Sequence, residues 1–179
     1  MRAMPIAVTA VTALLLLTAC GGEDRSDGAK DENDAKQESG ACSSATVNLE
    51  AGPASEAPAA GDTGEVPMSL VNQGAACVLD GFPEASLVAG GEPVALPPAE
   101  GATAQELTLA EGEAASFTIT YVRGPEGTDG SLDATSLRIG LPGDSATRDF
   151  PWTYGSVAVE EPGEAAADAS VSAFQRTGD

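Results

Sequence analysis

Apolar side chains recur at every second position over much of this chain, and short polar turns interrupt them. The clearest run is 115–122. It sets Phe117, Ile119 and Tyr121 on one face and Ser116, Thr118 and Thr120 on the other. A period of two is the signature of a strand with one face buried. The alternation recurs at 45–50 through Val47 and Leu49, at 65–72 through Val66, Met68 and Leu70, and at 136–141 through Leu137, Ile139 and Leu141. Shorter pieces at 77–79, 85–89, 105–109 and 156–160 read as further strands. Gly, Pro, Asp and Asn separate them at close spacing, as turn residues do. Residues 51–64 and 90–103, rich in Ala, Gly and Pro, read as loops. No segment carries a helical period. The alanine-rich stretch 161–173 is open to a frayed helical turn, although Pro162-Gly163 blocks its start. Many short strands joined by turns predict an all-β fold: an immunoglobulin-like antiparallel β-sandwich over residues 41–160. Residues 161–179 then form a C-terminal extension able to add an edge strand.

The first forty residues follow a different pattern. Arg2 precedes an apolar stretch at 6–17 that ends in four leucines, Leu14 to Leu17. The stretch is shorter than the ~20 residues that span a bilayer. Leu17-Thr18-Ala19-Cys20 closes it and reads as a lipobox. This predicts that 1–19 is a lipoprotein signal peptide and that Cys20 becomes the first mature residue, its thiol carrying diacylglycerol. The alternative is an ordinary signal peptide cut nearby, with Cys20 incidental. The missing arginine pair points to the general secretory route. Acylated Cys20 would place the protein on the outer face of the cell membrane, held by lipid. Residues 21–40 contain no aliphatic side chain larger than alanine. Such a segment buries too little surface to offset its ordering entropy, so 20–40 reads as a disordered acidic tether with a reach of roughly 25 Å.

Cysteine usage fits the same compartment. Of three cysteines, Cys20 goes to lipid and Cys42 and Cys77 remain as an even pair. Outside the membrane such a pair normally oxidises. A loop of that size contributes ~3–4 kcal/mol in the chain-entropy model. Two free buried thiols are the alternative. A zinc site is weaker still, because two cysteines without histidine cannot supply four ligands.

Composition narrows the chemistry. The formal charge is −20, which repels nucleic acid and anionic head groups and favours solubility or a basic partner. Histidine is absent, which removes Ser-His-Asp and Cys-His catalysis and the commonest transition-metal ligand. Aromatics are 4% of the chain, too few to argue a stacking platform for sugars or bases. Arg123, Arg138, Arg148 and Arg176 are the only cations after position 40 and make no phosphate-site pattern.

Few constellations remain. Glu160-Glu161 with Glu164 and Asp168, and Asp129 with Asp133, offer oxygen ligands of the kind calcium takes. The 129–133 segment lacks the spacing of an EF-hand loop. A carboxylate pair for glycoside hydrolysis would need aromatic cleft walls, and Tyr121, Trp152 and Tyr154 are too few. Phe150-Pro151-Trp152-Thr153-Tyr154 is the one aromatic cluster. It reads either as a strand end whose rings close the sandwich or as a partner-binding anchor built from Phe150, Trp152 and Tyr154.

Several motifs resemble the domain of unknown function 4232 family, common in secreted lipoproteins of high-GC Gram-positive bacteria. Over roughly 42–160 they are Cys42, then Leu70-Val71-Asn72-Gln73-Gly74, then Cys77-Val78-Leu79-Asp80-Gly81-Phe82-Pro83. The last is similar to the family's Cys-x-Leu-x-Gly-aromatic-Pro. Leu109-Ala110-Glu111-Gly112 looks like the turn before a long strand, and Leu137-Arg138-Ile139-Gly140-Leu141-Pro142 like a late strand ending in Pro. The resemblance implies a β-sandwich, a 42–77 disulfide and an envelope location, and carries over no catalytic motif. Some members have a further cysteine pair in the second half, which this chain lacks. From the residues themselves, Gly81 supplies a turn, Phe82 buries beside the disulfide, Pro83 fixes the turn's exit and Gly112 serves a hairpin from Leu109 to Ala115. The expected function is a non-enzymatic, cofactor-free and metal-free lipoprotein acting as an interaction module, its partner an unknown envelope protein or small ligand. The alternative is a solute- or cation-binding lipoprotein.

Overall fold

The computed structural model describes residues 40–160 and 166–177. In chain order its strands are β1 (Val47–Ala51), β2 (Thr63–Asn72), β3 (Cys77–Leu79), β4 (Glu84–Ala89), β5 (Glu92–Ala95), β6 (Leu107–Leu109), β7 (Ala114–Val122), β8 (Ser131–Leu132), β9 (Ala134–Gly140), β10 (Thr147–Pro151), β11 (Val157–Ala158), β12 (Ala169–Val171) and β13 (Gln175–Arg176). No helix occurs among the described residues. One antiparallel sheet runs β1-β2-β7-β12, with β13 also on β7; a second runs β10-β9-β4-β5. The pairs β3–β6 and β11–β8 complete the set.

Strict alternation decides which side chains meet. Val66, Met68 and Leu70 of β2 and Phe117, Ile119 and Tyr121 of β7 point inward from the first sheet. Leu87 of β4 and Leu137 and Ile139 of β9 answer from the second, and all join one buried cluster. Two sheets that share one apolar interior are the expected sandwich, and Cys42 and Cys77 are joined as expected. β2 and β7 pair from Thr63↔Val122 to Val71↔Ala114. Gly64 lies opposite Tyr121 in that register, and a Cβ at position 64 would overlap the Tyr121 ring. Glycine here is a packing requirement.

Several expectations are corrected. The C-terminal extension does supply edge strands, β12 and β13, on the flank of β7 that β2 leaves open, and so belongs to the sandwich. Part of the stretch read as a frayed helical turn is therefore strand. The segment 90–103 is not all loop, since β5 pairs with β4. The turn at 109–115 is no hairpin: β6 pairs with β3 while β7 pairs with β2, so the chain changes partner there. Gly112 still supplies the left-handed residue of that turn, at φ 81°. Phe82 is only half-buried and Pro83 is buried in its place. The period of two puts 83, 85 and 87 inward and leaves 82 on the outward parity.

Asn72 holds the partner-changing turn. It is fully buried. Its Nδ2 donates to the carbonyls of Ala75 at 2.9 Å, Leu109 at 3.0 Å and Ala110 at 3.3 Å, and its Oδ1 accepts from the Gly74 amide at 3.0 Å. Its backbone donates to the Glu113 carbonyl and accepts from the Gly112 amide. A buried amide is stable only when satisfied in this way.

Candidate functional site

Residues 1–39, on which the expectations of a signal peptide, of acylated Cys20 and of nearly all of the tether fall, lie outside the described residues. The described chain enters at Gly40 and is secured at once. The Cys42 amide donates to the Val78 carbonyl and the Val78 amide to the Gly40 carbonyl, both at 2.9 Å. Cys42 and Cys77 are 1% and 6% exposed, so the bond between them is shielded from reductants.

A polar clamp follows. Asp144 Oδ2 accepts from the Ser44 amide and the Ser44 hydroxyl, each at 2.7 Å, and from the Ser43 hydroxyl at 3.4 Å. Arg148, on β10, donates to the carbonyls of Ser44 at 2.9 Å and Val47 at 3.5 Å. The β9–β10 connection of one sheet thereby grips the lead-in to β1 of the other. Hydrogen bonds from the Ala146 amide, then the Ser44 amide and hydroxyl, pull the Asp144 carboxyl down to about 2. A depressed carboxyl stabilises the fold fully above its unfolded value of ~3.9. That contribution is lost as pH falls to the folded value. Denaturant midpoints should therefore drop between about pH 4 and about pH 2, and Asp144→Asn should drop less over the same window. Equal declines in the two proteins would remove the clamp from the account. Asp149, drawn down by Arg138, and Glu113, drawn down by the Ala110 amide and then by Arg176, respond in the same direction.

The aromatic segment does not form one surface. Trp152 is 6% exposed, and its Nε1 donates to the Gly155 carbonyl at 2.7 Å. Its ring stands edge-on to Tyr121 at 5.0 Å and to Tyr154 at 4.9 Å. Phe150 and Tyr154 are half-buried against the core. The centre of the group is Tyr121, fully buried on β7. Its hydroxyl accepts from the Ala57 amide at 3.3 Å and donates to the Tyr154 carbonyl at 3.4 Å. As an anchor set, Phe150, Trp152 and Tyr154 lose the Trp152 ring to the interior. Spacing within five residues gave no sign of Tyr121, which arrives from another strand.

The acidic clusters separate too. Among the described residues no three Asp, Glu, Cys or His side chains converge as metal ligands. Asp133 accepts from the Ser156 hydroxyl at 2.6 Å instead. Glu161 and Glu164 lie outside the described residues.

The second sheet carries an open groove on its outward face. Register aligns three rows there: Thr147, Gly140 and Glu84; Asp149, Arg138, Ser86 and Ala95; Pro151, Ser136, Val88 and Pro93. A groove of about 420 Å³ lies over the first two and reaches Pro93 of the third, lined by Glu84, Ala85, Ser86, Pro93, Ala95, Leu96, Arg138, Gly140 and Thr147. Arg138 is held flat by Asp149, with Nε to Oδ1 at 2.8 Å and Nη2 to Oδ2 at 3.0 Å. The fork geometry fixes its plane. The Asp149 carboxylate raises the guanidinium's pKa further. In the sequence Arg138 and Gly140 stood only as parts of a late-strand motif and the others not at all, because each is ordinary alone and they come from four strands.

The other arginines are also committed. Arg123 meets the Ala57 carbonyl and Glu126, and Arg176 meets Glu113 and the Thr108 carbonyl. The unpaired carboxylates therefore set the sign of the surface. A family model described as a domain of unknown function, DUF4232, matches residues 42–175. No curated protein and no solved structure matches the chain.

Proposed function

The chain belongs to the DUF4232 family, and we propose that it is a lipid-anchored extracytoplasmic lipoprotein working as a non-catalytic interaction module. The observation that carries the reading is Leu17-Thr18-Ala19-Cys20 at the end of an apolar run, followed by a domain that opens on a buried disulfide. A lipobox supplies the anchor, and a structural disulfide suits the oxidising side of a membrane. The sandwich then acts as a rigid display, with the outward face of the second sheet as its contact surface. Its partner is an envelope protein, and its only lipid contact is through acylated Cys20.

The test is direct. Mass spectrometry of the detergent-extracted protein should find Cys20 as the first residue, with the mass of its acyl groups. Cys20→Ser should block lipid attachment, so that the domain is released or the precursor stays uncleaved. A free thiol on Cys20, or cleavage elsewhere, would sink the anchor. A second reading, a solute- or cation-binding lipoprotein, draws on the groove volume, which falls within the usual range for small-molecule sites. Calorimetry with calcium, copper and zinc separates it from the first.

A further inference from the structure

We propose that the groove on the second sheet docks an extended, lysine- or arginine-bearing segment of a partner protein, an assignment that rests on the interaction-module reading above. Charge balance selects the occupant. Arg138 is neutralised by its paired contact with Asp149. Glu84 is exposed and, among the described residues, has no ion pair or side-chain hydrogen bond. The net charge of the groove is therefore that of Glu84, on a chain of charge −20. A polyanion or an acidic head group is repelled from such a face, and a basic segment is steered to it.

Shape agrees with charge. Gly140 sits between Glu84 and Thr147 in the register, and its lack of a side chain lets the Glu84 side chain lie close over the strand. Pro93 and Ala95 provide an apolar floor. A lysine or arginine stem can lie on that floor with its charge at Glu84, as amphipathic side chains do. Among the described residues Nη1 of Arg138 has no partner, so it can donate to a main-chain carbonyl of the same segment. One cation acceptor, one carbonyl donor and an apolar strip between them match a basic peptide.

The test is an amide NMR titration of the full chain in detergent micelles, with hexalysine as the probe and hexaglutamate as the control. Hexalysine should give saturable shifts at positions 84, 86, 95, 138, 140 and 147, and hexaglutamate none. Glu84→Gln should weaken binding about threefold to fivefold, the size of one exposed ion pair. Glu92→Gln, on β5 but outside the groove lining, should leave it unchanged. Ala95→Arg, at an exposed edge-strand position in the groove lining, should abolish binding by laying a cation over the floor while sparing the fold. Equal melting temperatures verify that the variant is folded. Shifts scattered over the whole surface, or binding indifferent to both groove variants, would overturn the proposal. A native partner whose capture survives Ala95→Arg and Glu84→Gln would overturn the groove assignment and leave the interaction-module reading in place.

Discussion

Trp152→Ala should cost the fold ~3–5 kcal/mol, the range for removing a large buried aromatic. The ring is 6% exposed, touches Tyr121 and Tyr154 edge-on, and ties its indole nitrogen to the Gly155 carbonyl. Truncation opens a cavity beside Tyr121, the ring that Trp152 and Tyr154 both meet. Neither sheet can close that gap, because Tyr121 is already fixed by Gly64 across the strand and by Ala57 at its hydroxyl. For a domain of this size the loss corresponds to roughly 10–20 °C of melting temperature. Thr153→Ala, at an exposed neighbour, should stay within about 0.5 kcal/mol. If Trp152→Ala melts with the parent protein, the ring is dispensable to the interior and the anchor reading of 150–154 regains it.

The second large effect is expected from the disulfide. Replacing both Cys42 and Cys77 with alanine should lower stability by ~2–5 kcal/mol. The bond spans 35 positions and encloses β1 and β2. Without it the unfolded chain gains the freedom of that loop, and the β1 lead-in is left to the Asp144 and Arg148 clamp. The check is a pair of denaturant titrations, oxidised protein against the double variant. Coincident midpoints would show that the clamp alone suffices. Because both sulfurs are buried, reductant should act slowly on the native protein and quickly once it is unfolded.

The sheet interiors were legible for a definite reason. β2 and β7 alternate without error, and apart from Gly64, Asn72 and Ala115 each inward position is Val, Met, Leu, Phe, Ile or Tyr, while β9 sets Leu137 and Ile139 inward. β5 and β10 were illegible because they are edges. An edge strand buries little and tolerates residues such as Pro93, Arg148 and Asp149 that no periodicity rule selects. β12 and β13 hid behind alanine and serine, whose burial depends on what they lie against. Asn72 was quoted only as part of a motif. Its role as the tie of a partner-changing turn needs three carbonyls that the fold, not the spacing, assembles. The groove was the least legible feature, since its lining is gathered from four strands that only the fold brings side by side.

The two-sided pairing of β7 governs the order in which the protein can be completed. β2 precedes β7 in the chain, but β12 and β13 follow it by about fifty residues, and they cover its other flank. A chain emerging from a ribosome or a translocation pore N-terminus first must hold β7 with an open flank until Arg176 is out. Such an edge is a template for pairing with other chains. Closing it last makes the contacts strongly non-local, which slows folding. Productive folding of this domain is therefore post-emergence, and a nascent form halted before β12 is the species most exposed to aggregation and to proteases.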